Sequence, residues 1–250
     1  MKKRNWYLTF GTCISAVMLL YMVVGFFWTP HDPTRLSGSD KLAAPSLSHP
    51  FGCDHLGRDV LSRTLDGAGT TLIIALAVLA VGFVFGLLIG ALCGYYGGLV
   101  DAVVMRVCDA ITGPGTFNVV AALGILFIPS FARLVRGEYL KYRDRDFVRA
   151  ARLAGVRPWR ILFVHILPNT WTTLLSGLTI GFNNAVLSEA SMSFLGIGVG
   201  PADASLGRML SEAQSCLFAA PWCTVFPALV VILIILGVGM LGEGIRERVE

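Results

Sequence analysis

Asp144 to Asn169 reads DRDFVRAARLAGVRPWRILFVHILPN, a polar and basic interruption in a chain that is otherwise mostly apolar. Asp144 or Asp146 is placed to cap a helix N-terminus, and Gly155 to end that helix after about three turns. Arg145, Arg149 and Arg152 recur at i, i+4 and i+7 and put a charged stripe on one face. Ala150, Ala151 and Ala154 leave part of the surface nearly bare, so that another protein's backbone could approach closely. Pro158 forbids simple continuation, and Leu167-Pro168 leads into the next apolar segment. The pattern predicts a short amphipathic helix between membrane spans, shaped to be held by a partner.

Composition sets the surroundings. The 250 residues are 55% hydrophobic and 14% charged, with mean hydropathy +0.70, whereas a soluble domain carries about 25% charged residues. The expected fold is therefore all-α, a polytopic transmembrane helix bundle. The formal charge of +4 is not a nucleic-acid signal, because the positive charge is concentrated. Arg133 to Arg160 holds nine Arg/Lys against three Asp/Glu, and Thr29 to Gly69 four against five. By the positive-inside rule the first stretch is cytoplasmic and the second external, and Lys2-Lys3-Arg4 places the N-terminus inside. No GxxxxGK[ST] phosphate loop is present, so ATP-driven work would need a separate ATPase chain. No HExxH or GxSxG lies in a span, which argues against an intramembrane enzyme. The six cysteines show no CxxC and no ligand spacing with the four histidines. No metal or other cofactor is expected from them; one disulfide among Cys53, Cys216 and Cys223 stays open. His49, Asp54 and His55 read as loop and cap chemistry rather than as metal ligands.

Four runs are long enough to cross a bilayer: Trp6–Trp28, Thr70–Leu92, Trp171–Val199 and Trp222–Leu241. Gly82, Gly86 and Gly90 line one face of the second, which predicts close helix packing. The fourth run is preceded by an external loop with a short helix over about Leu206–Leu217, and Glu243–Glu250 forms a charged tail. Residues 1–69 thus divide as an N-terminal span plus external segment, and 70–250 as a core domain carrying the cytoplasmic loop 133–168. Within the third run, Asn183, Asn184 and Glu189 are polar at membrane depth, where they either line a water-filled path or tie helices together.

Four ordered motifs carry a resemblance. They are Gly57-Arg58-Asp59-Val60, Gly94-Tyr95-Tyr96-Gly97-Gly98, the loop set Ala150, Ala151, Gly155, Leu167 and Pro168, and Glu189-Ala190 followed by Ser193-Phe194-Leu195-Gly196. Over roughly Pro50 to Arg248 the chain resembles permease subunits of the dipeptide, oligopeptide and nickel group of ABC importers. Arg149 stands where that family usually has glutamate, a departure that still fits the peptide-type branch. The resemblance implies a type I importer permease fold in the bacterial cytoplasmic membrane, beside a second homologous permease chain. It further implies two ATPase subunits below and an extracytoplasmic binding protein that delivers cargo. Ala150, Ala151 and Gly155 would dock on an ATPase, Arg149 and Arg152 would orient the helix, and Leu167 and Pro168 would set its angle to the following span. Arg58 and Asp59 are expected to pair or cap locally. Peptide is the expected cargo, nickel or a metal chelate the alternative.

The chain departs from that pattern after GYYGG. Leu99 to Thr112 is 14 residues long and carries Asp101, Arg106 and Asp109, too short and charged for a third span. Phe117 to Phe131, 15 residues, is marginal. About one helix of apolar residues is missing, which admits a remnant subunit that transports nothing. Either Leu99–Thr112 dips in as a re-entrant segment, or Phe117–Phe131 stays inside. The second arrangement, with four crossings and both termini cytoplasmic, is the expectation carried forward.

Overall fold

The computed structural model describes residues 6–98, 101, 104, 119–200 and 203–249. These residues are helical apart from loops and one isolated bridge between Cys53 and Asp59. We number the helices α1 (Trp6–Phe27), α2 (Val60–Tyr96), α3 (Val119–Arg143), α4 (Asp146–Leu153), α5 (Pro158–Phe194, with a π turn over Ile161–Ile166), α6 (Leu206–Ala213) and α7 (Trp222–Val249). Among the described residues four helices are long and apolar enough to cross a membrane: α1, α2, α5 and Trp222–Glu247 of α7. The expected spans are present, but with different ends. Helix α2 begins ten residues before Thr70, α5 starts at Pro158 instead of Trp171, and the expected charged tail is helical to Val249. Apolar runs report the thickness of hydrocarbon, and a helix continues past it wherever its polar ends find partners.

The chain forms two compact units, Met1–Leu76 with Phe182–Gly244 and Ala77–Gly181 with Ile245–Glu250. In the first, α1 and α7 run antiparallel at close range. A Cβ on Gly11 would lie 2.5 Å from the Leu241 nitrogen, and one on Gly244 2.6 Å from Leu8 backbone. Small residues bring these helices together because lipid offers no hydrophobic drive for association. The segment before α2 is pinned by ion pairs. Asp54 accepts from the backbone N–H groups of Leu56 and Arg58, and its Oδ2 lies 2.7 Å from Arg58 Nε and 2.8 Å from Arg63 Nη1. Glu212 of α6 takes Arg58 Nη2 at 2.6 Å, Arg63 Nη1 at 2.9 Å and Arg208 Nε at 3.0 Å. Asp59 caps α2 by accepting from the Ser62 N–H at 2.8 Å. Arg58 and Asp59 therefore pair and cap as expected. Asp54, read beside His49 and His55, belongs to the arginines. Cys53, Cys216 and Cys223 are buried free thiols, with Cys223 Sγ donating to the Cys53 carbonyl, so no disulfide joins them. Burial, helped by Asp59, pushes the Cys53 thiol up to about 11.

In the second unit the glycine stripe of α2 receives α3. Cβ atoms on Gly82, Gly86 and Gly90 would fall 2.8 Å from Phe127 Cβ, 2.4 Å from Phe131 Cβ and 2.4 Å from the Ala132 carbonyl oxygen. Gly94 continues the series against Tyr139 and Arg136, and Gly124 stands against Val81. Residue numbers rise together on both helices, so α3 runs parallel to α2. It begins level with the middle of α2, and Asp101, just past the α2 end, pairs with Arg136. Phe127 and Phe131 thus lie beside the apolar run of α2. The four expected crossings agree with the four candidate spans, and α3 is not among them; what the structure adds is that α3 packs lengthwise along α2. The re-entrant alternative for Leu99–Thr112 and the Gly113-Pro114-Gly115 turn fall almost entirely outside the described residues.

Candidate functional site

Helix α4 is eight residues long, and its start falls between the two capping candidates Asp144 and Asp146. Its N-cap is Arg145 in extended backbone, with no side-chain cap, while Asp146 sits in the first turn, where a carboxylate suits the helix dipole. Neither Asp144 nor Asp146 caps it. The C-terminus follows the expectation. Gly155 has φ +72°, its N–H donates to the Arg152 carbonyl at 3.0 Å, and the Val156 N–H reaches back to Ala151 at 3.1 Å. This 6→1 and 5→2 pair is the Schellman ending, and glycine supplies the left-handed residue without strain. A Cβ on Gly155 would meet nothing within 4 Å, so only backbone conformation demands glycine inside this chain.

The two faces of α4 differ. Val148 and Ala151 are buried in a core with Tyr95 of α2, Val135 and Tyr139 of α3, and Ile161, Leu162 and Ile166 of α5. Tyr139 donates to the Leu162 carbonyl at 3.1 Å, locking α3 to the start of α5. Ala151 is therefore an inward contact, whereas Ala150, Ala154 and Gly155 lie on the open side. Arg149 is exposed there too. The Arg152 guanidinium lies 4.7 Å above the Tyr95 ring and its Nε donates to the Tyr95 hydroxyl at 3.2 Å, so it braces α4 against α2. Two bulky apolar side chains of this stretch are exposed, Leu153 at 90% and Trp159 at 57%. Sequence reading singled out neither. Their signal was a large apolar side chain in a basic, turn-rich stretch, where solvation alone gives no reason for it.

Leu167 packs partly buried against the same core, and Pro168 is exposed. Pro168 has no N–H to offer the Val164 carbonyl and would crowd it, and the ladder widens into the π turn just before it. That turn joins the loop to α5 without breaking the helix. Further along α5 the three polar residues part company. Asn183 Nδ2 donates to the Ile235 carbonyl of α7 at 3.1 Å, while its Oδ1 is buried without a hydrogen-bond partner. Asn184 is exposed. Glu189 is fully buried and accepts from Thr71 at 2.9 Å and Ser193 at 2.8 Å.

A multi-pass helical membrane protein that presents a short basic helix beside its span ends is the general class these features define. The family of binding-protein-dependent transport system inner membrane components matches residues 110–250. The glutathione transport system permease protein GsiD of Pectobacterium atrosepticum is 35% identical over 256 residues, covering 94% of this chain and 85% of its own. The dipeptide transport system permease protein DppC of Alkalihalophilus pseudofirmus is 32% identical, covering 99% and 86%. GsiD of Escherichia coli is 36% identical over 264 residues, with 99% and 87% covered. The chain belongs to the family of binding-protein-dependent transport system inner membrane components. It is the permease component of an ABC importer, a multi-pass inner-membrane protein, and ATP is hydrolysed on another chain. The 264 aligned positions exceed the 250 residues of the chain, so the relative carries positions that this chain lacks.

Proposed function

We propose that this chain is the membrane-spanning subunit of an importer of di- or oligopeptides, glutathione-like tripeptides included. The observation that carries the coupling part is α4 itself, seated by Val148 and Ala151 and open on its other side. On this reading one of two ATPase subunits receives the open face of α4 in a groove, with Ala150 and Gly155 permitting close approach and Arg149 orienting it. Ala151 and Arg152 transmit the load inward, Arg152 through Tyr95. Leu167 and Pro168 pass it into α5 across the π turn, so that closure of the ATPase dimer tilts the spans. A second permease chain and an external binding protein complete the assembly. Residues 1–69 serve as anchor and outer segment, 70–250 as the permease core. Asn183, Asn184 and Glu189 form the pathway side of the proposal. Glu189, sealed against Thr71 and Ser193, would open to water as α5 shifts.

Uptake of labelled dipeptide, glutathione and nickel by cells with and without the gene tests this. Peptide or glutathione uptake that needs the gene is the expected result, and uptake of nickel alone overturns the cargo assignment. The chain is shorter than the relative's alignment, and this favours a second reading, a subunit that transports nothing. Loss of no uptake on deletion would select it.

A further inference from the structure

We propose that His31, His49 and Asp59 form a binding site for a divalent transition-metal ion on the external side of the chain. The three residues come from separate places: the loop just after α1, the loop before the Gly57-Arg58-Asp59-Val60 motif, and the N-cap of α2. Their donor atoms nevertheless all lie within 4.8 Å of one another. His49 Nδ1 is 2.9 Å from Asp59 Oδ1, and His31 Nδ1 is 3.8 Å from Asp59 Oδ2. The two imidazoles lie side by side, tilted by 32° with centroids 4.6 Å apart, and both Nδ1 atoms face the same carboxylate. A tetrahedral ion with bonds of about 2.1 Å sets neighbouring donors roughly 3.4 Å apart. The two His–Asp59 pairs lie within about half an ångström of that spacing, and donors as far apart as the 4.8 Å bound would have to close by up to about 1.4 Å.

The surroundings hold these ligands in place. The His31 N–H donates to Ser62 Oγ at 2.9 Å, and that hydroxyl donates to Asp59 Oδ2 at 2.7 Å. One serine thus anchors the His31 main chain and orients the Asp59 carboxylate. Asp59 is buried at 3% exposure, whereas the His31 side chain is 41% exposed, which leaves a way in from solvent. Two imidazole nitrogens and one carboxylate oxygen suit Zn²⁺ or Ni²⁺ better than Mg²⁺ or Ca²⁺. With three protein ligands the fourth position is left to water. The ion sits at the N-terminal end of α2, where the helix field opposes a cation, and the Asp59 charge offsets this. Affinity is therefore moderate, and the ion clasps the two outer loops to the start of α2. No spacing in the sequence announces this set, and the proposal departs from the expectation that the chain binds no metal. It stands independently of the peptide reading.

The test uses the permease assembled with its partner subunits in lipid nanodiscs, stripped by chelator and equilibrated with Zn²⁺. Bound metal is counted by mass spectrometry, and thermal unfolding is followed with and without zinc. About one zinc per permease chain is expected, with a rise in Tm. His31→Ala and His49→Ala should each weaken binding at least about tenfold, while His55→Ala leaves it unchanged. Zinc held equally by the double variant His31→Ala/His49→Ala, or no stoichiometric zinc in the unaltered chain, overturns the proposal. Should the double variant fail to assemble, His31→Ala decides the question, because that side chain is the most open of the three.

Discussion

Replacing Gly155 separates backbone conformation from bulk. At φ +72° an alanine pays about 1–2 kcal/mol for the left-handed conformation, and a β-branched valine more. Asparagine tolerates that region and should lose only a fraction of this. Because a Cβ there meets nothing within 4 Å, no clash inside the chain adds to the figure. The strain falls on the two hydrogen bonds that end α4, from Gly155 to Arg152 and from Val156 to Ala151. In an eight-residue helix, 1–2 kcal/mol changes the population of the intact ending by about 5- to 30-fold. ATP-driven uptake into proteoliposomes should therefore rank glycine, asparagine, alanine, valine, with valine close to background and the chain still inserted. If bulk at the partner surface mattered more, alanine would outperform the larger asparagine. Unimpaired uptake with Gly155→Val, and the ATPase still co-purifying, would remove the loop from the mechanism.

Gly90→Ala should cost about 1–3 kcal/mol and lower Tm, since its Cβ would lie 2.4 Å from the Ala132 carbonyl oxygen, while Gly137→Ala, which meets nothing within 4 Å, should not. Asn184→Cys should react with water-soluble thiol reagents, and Glu189→Cys only when ATP is supplied; inertness of both throughout would reduce these residues to helix ties. Burial raises the Glu212 carboxyl, but Arg63, Arg58 and Arg208 outweigh it and bring it from 4.5 to about 2. A depressed carboxylate stabilises fully above its unfolded value and loses that contribution as pH falls, so the outer segment should loosen between about pH 4.5 and 2. Hydrogen exchange at residues 52–63 reads this, and an unchanged acid profile in Glu212→Gln would refute it. Lys141→Cys should resist a membrane-impermeant label in intact cells, and labelling would overturn the inside placement of the basic loop.

What could be read from sequence was local. Gly82, Gly86 and Gly90 announced a packing face, and Gly155 a left-handed ending, because each depends on spacing or on one residue's conformational range. The helix start at Arg145 was not legible, since capping rules rank side chains and here no side chain caps. Arg152 on Tyr95, Arg63 between Asp54 and Glu212, and His31 beside His49 were hidden for another reason. Each joins residues far apart in the chain, and nothing in local spacing records such a meeting. Ala151 shows the same limit at short range. It reads like Ala150, yet lies on the inward face because Val148, three residues earlier, fixes which side of α4 is buried.

Charge and span count disagreed in the sequence, and α3 shows how they are reconciled. A full extra crossing before Arg133 would have put nine basic residues outside, against the positive-inside rule. Because α3 lies parallel to α2, its end at Arg143 falls on the same side as Gly94 to Gly98, whatever its starting depth. Only the α3 residues facing Gly82 to Gly90 need be apolar, and Phe127, Phe131 and Val135 meet that demand. Charged groups begin with Arg133 and Arg136, where α2 is about to end. From Val81 to Gly97 the shared path is about 24 Å, most of a hydrocarbon core, at 1.5 Å per residue. The part of α3 that supports α4 through Val135 and Tyr139 is therefore kept in full. Residues absent relative to the longer relatives need not touch the face that seats the coupling helix, which is why the shortened chain can still be an importer subunit.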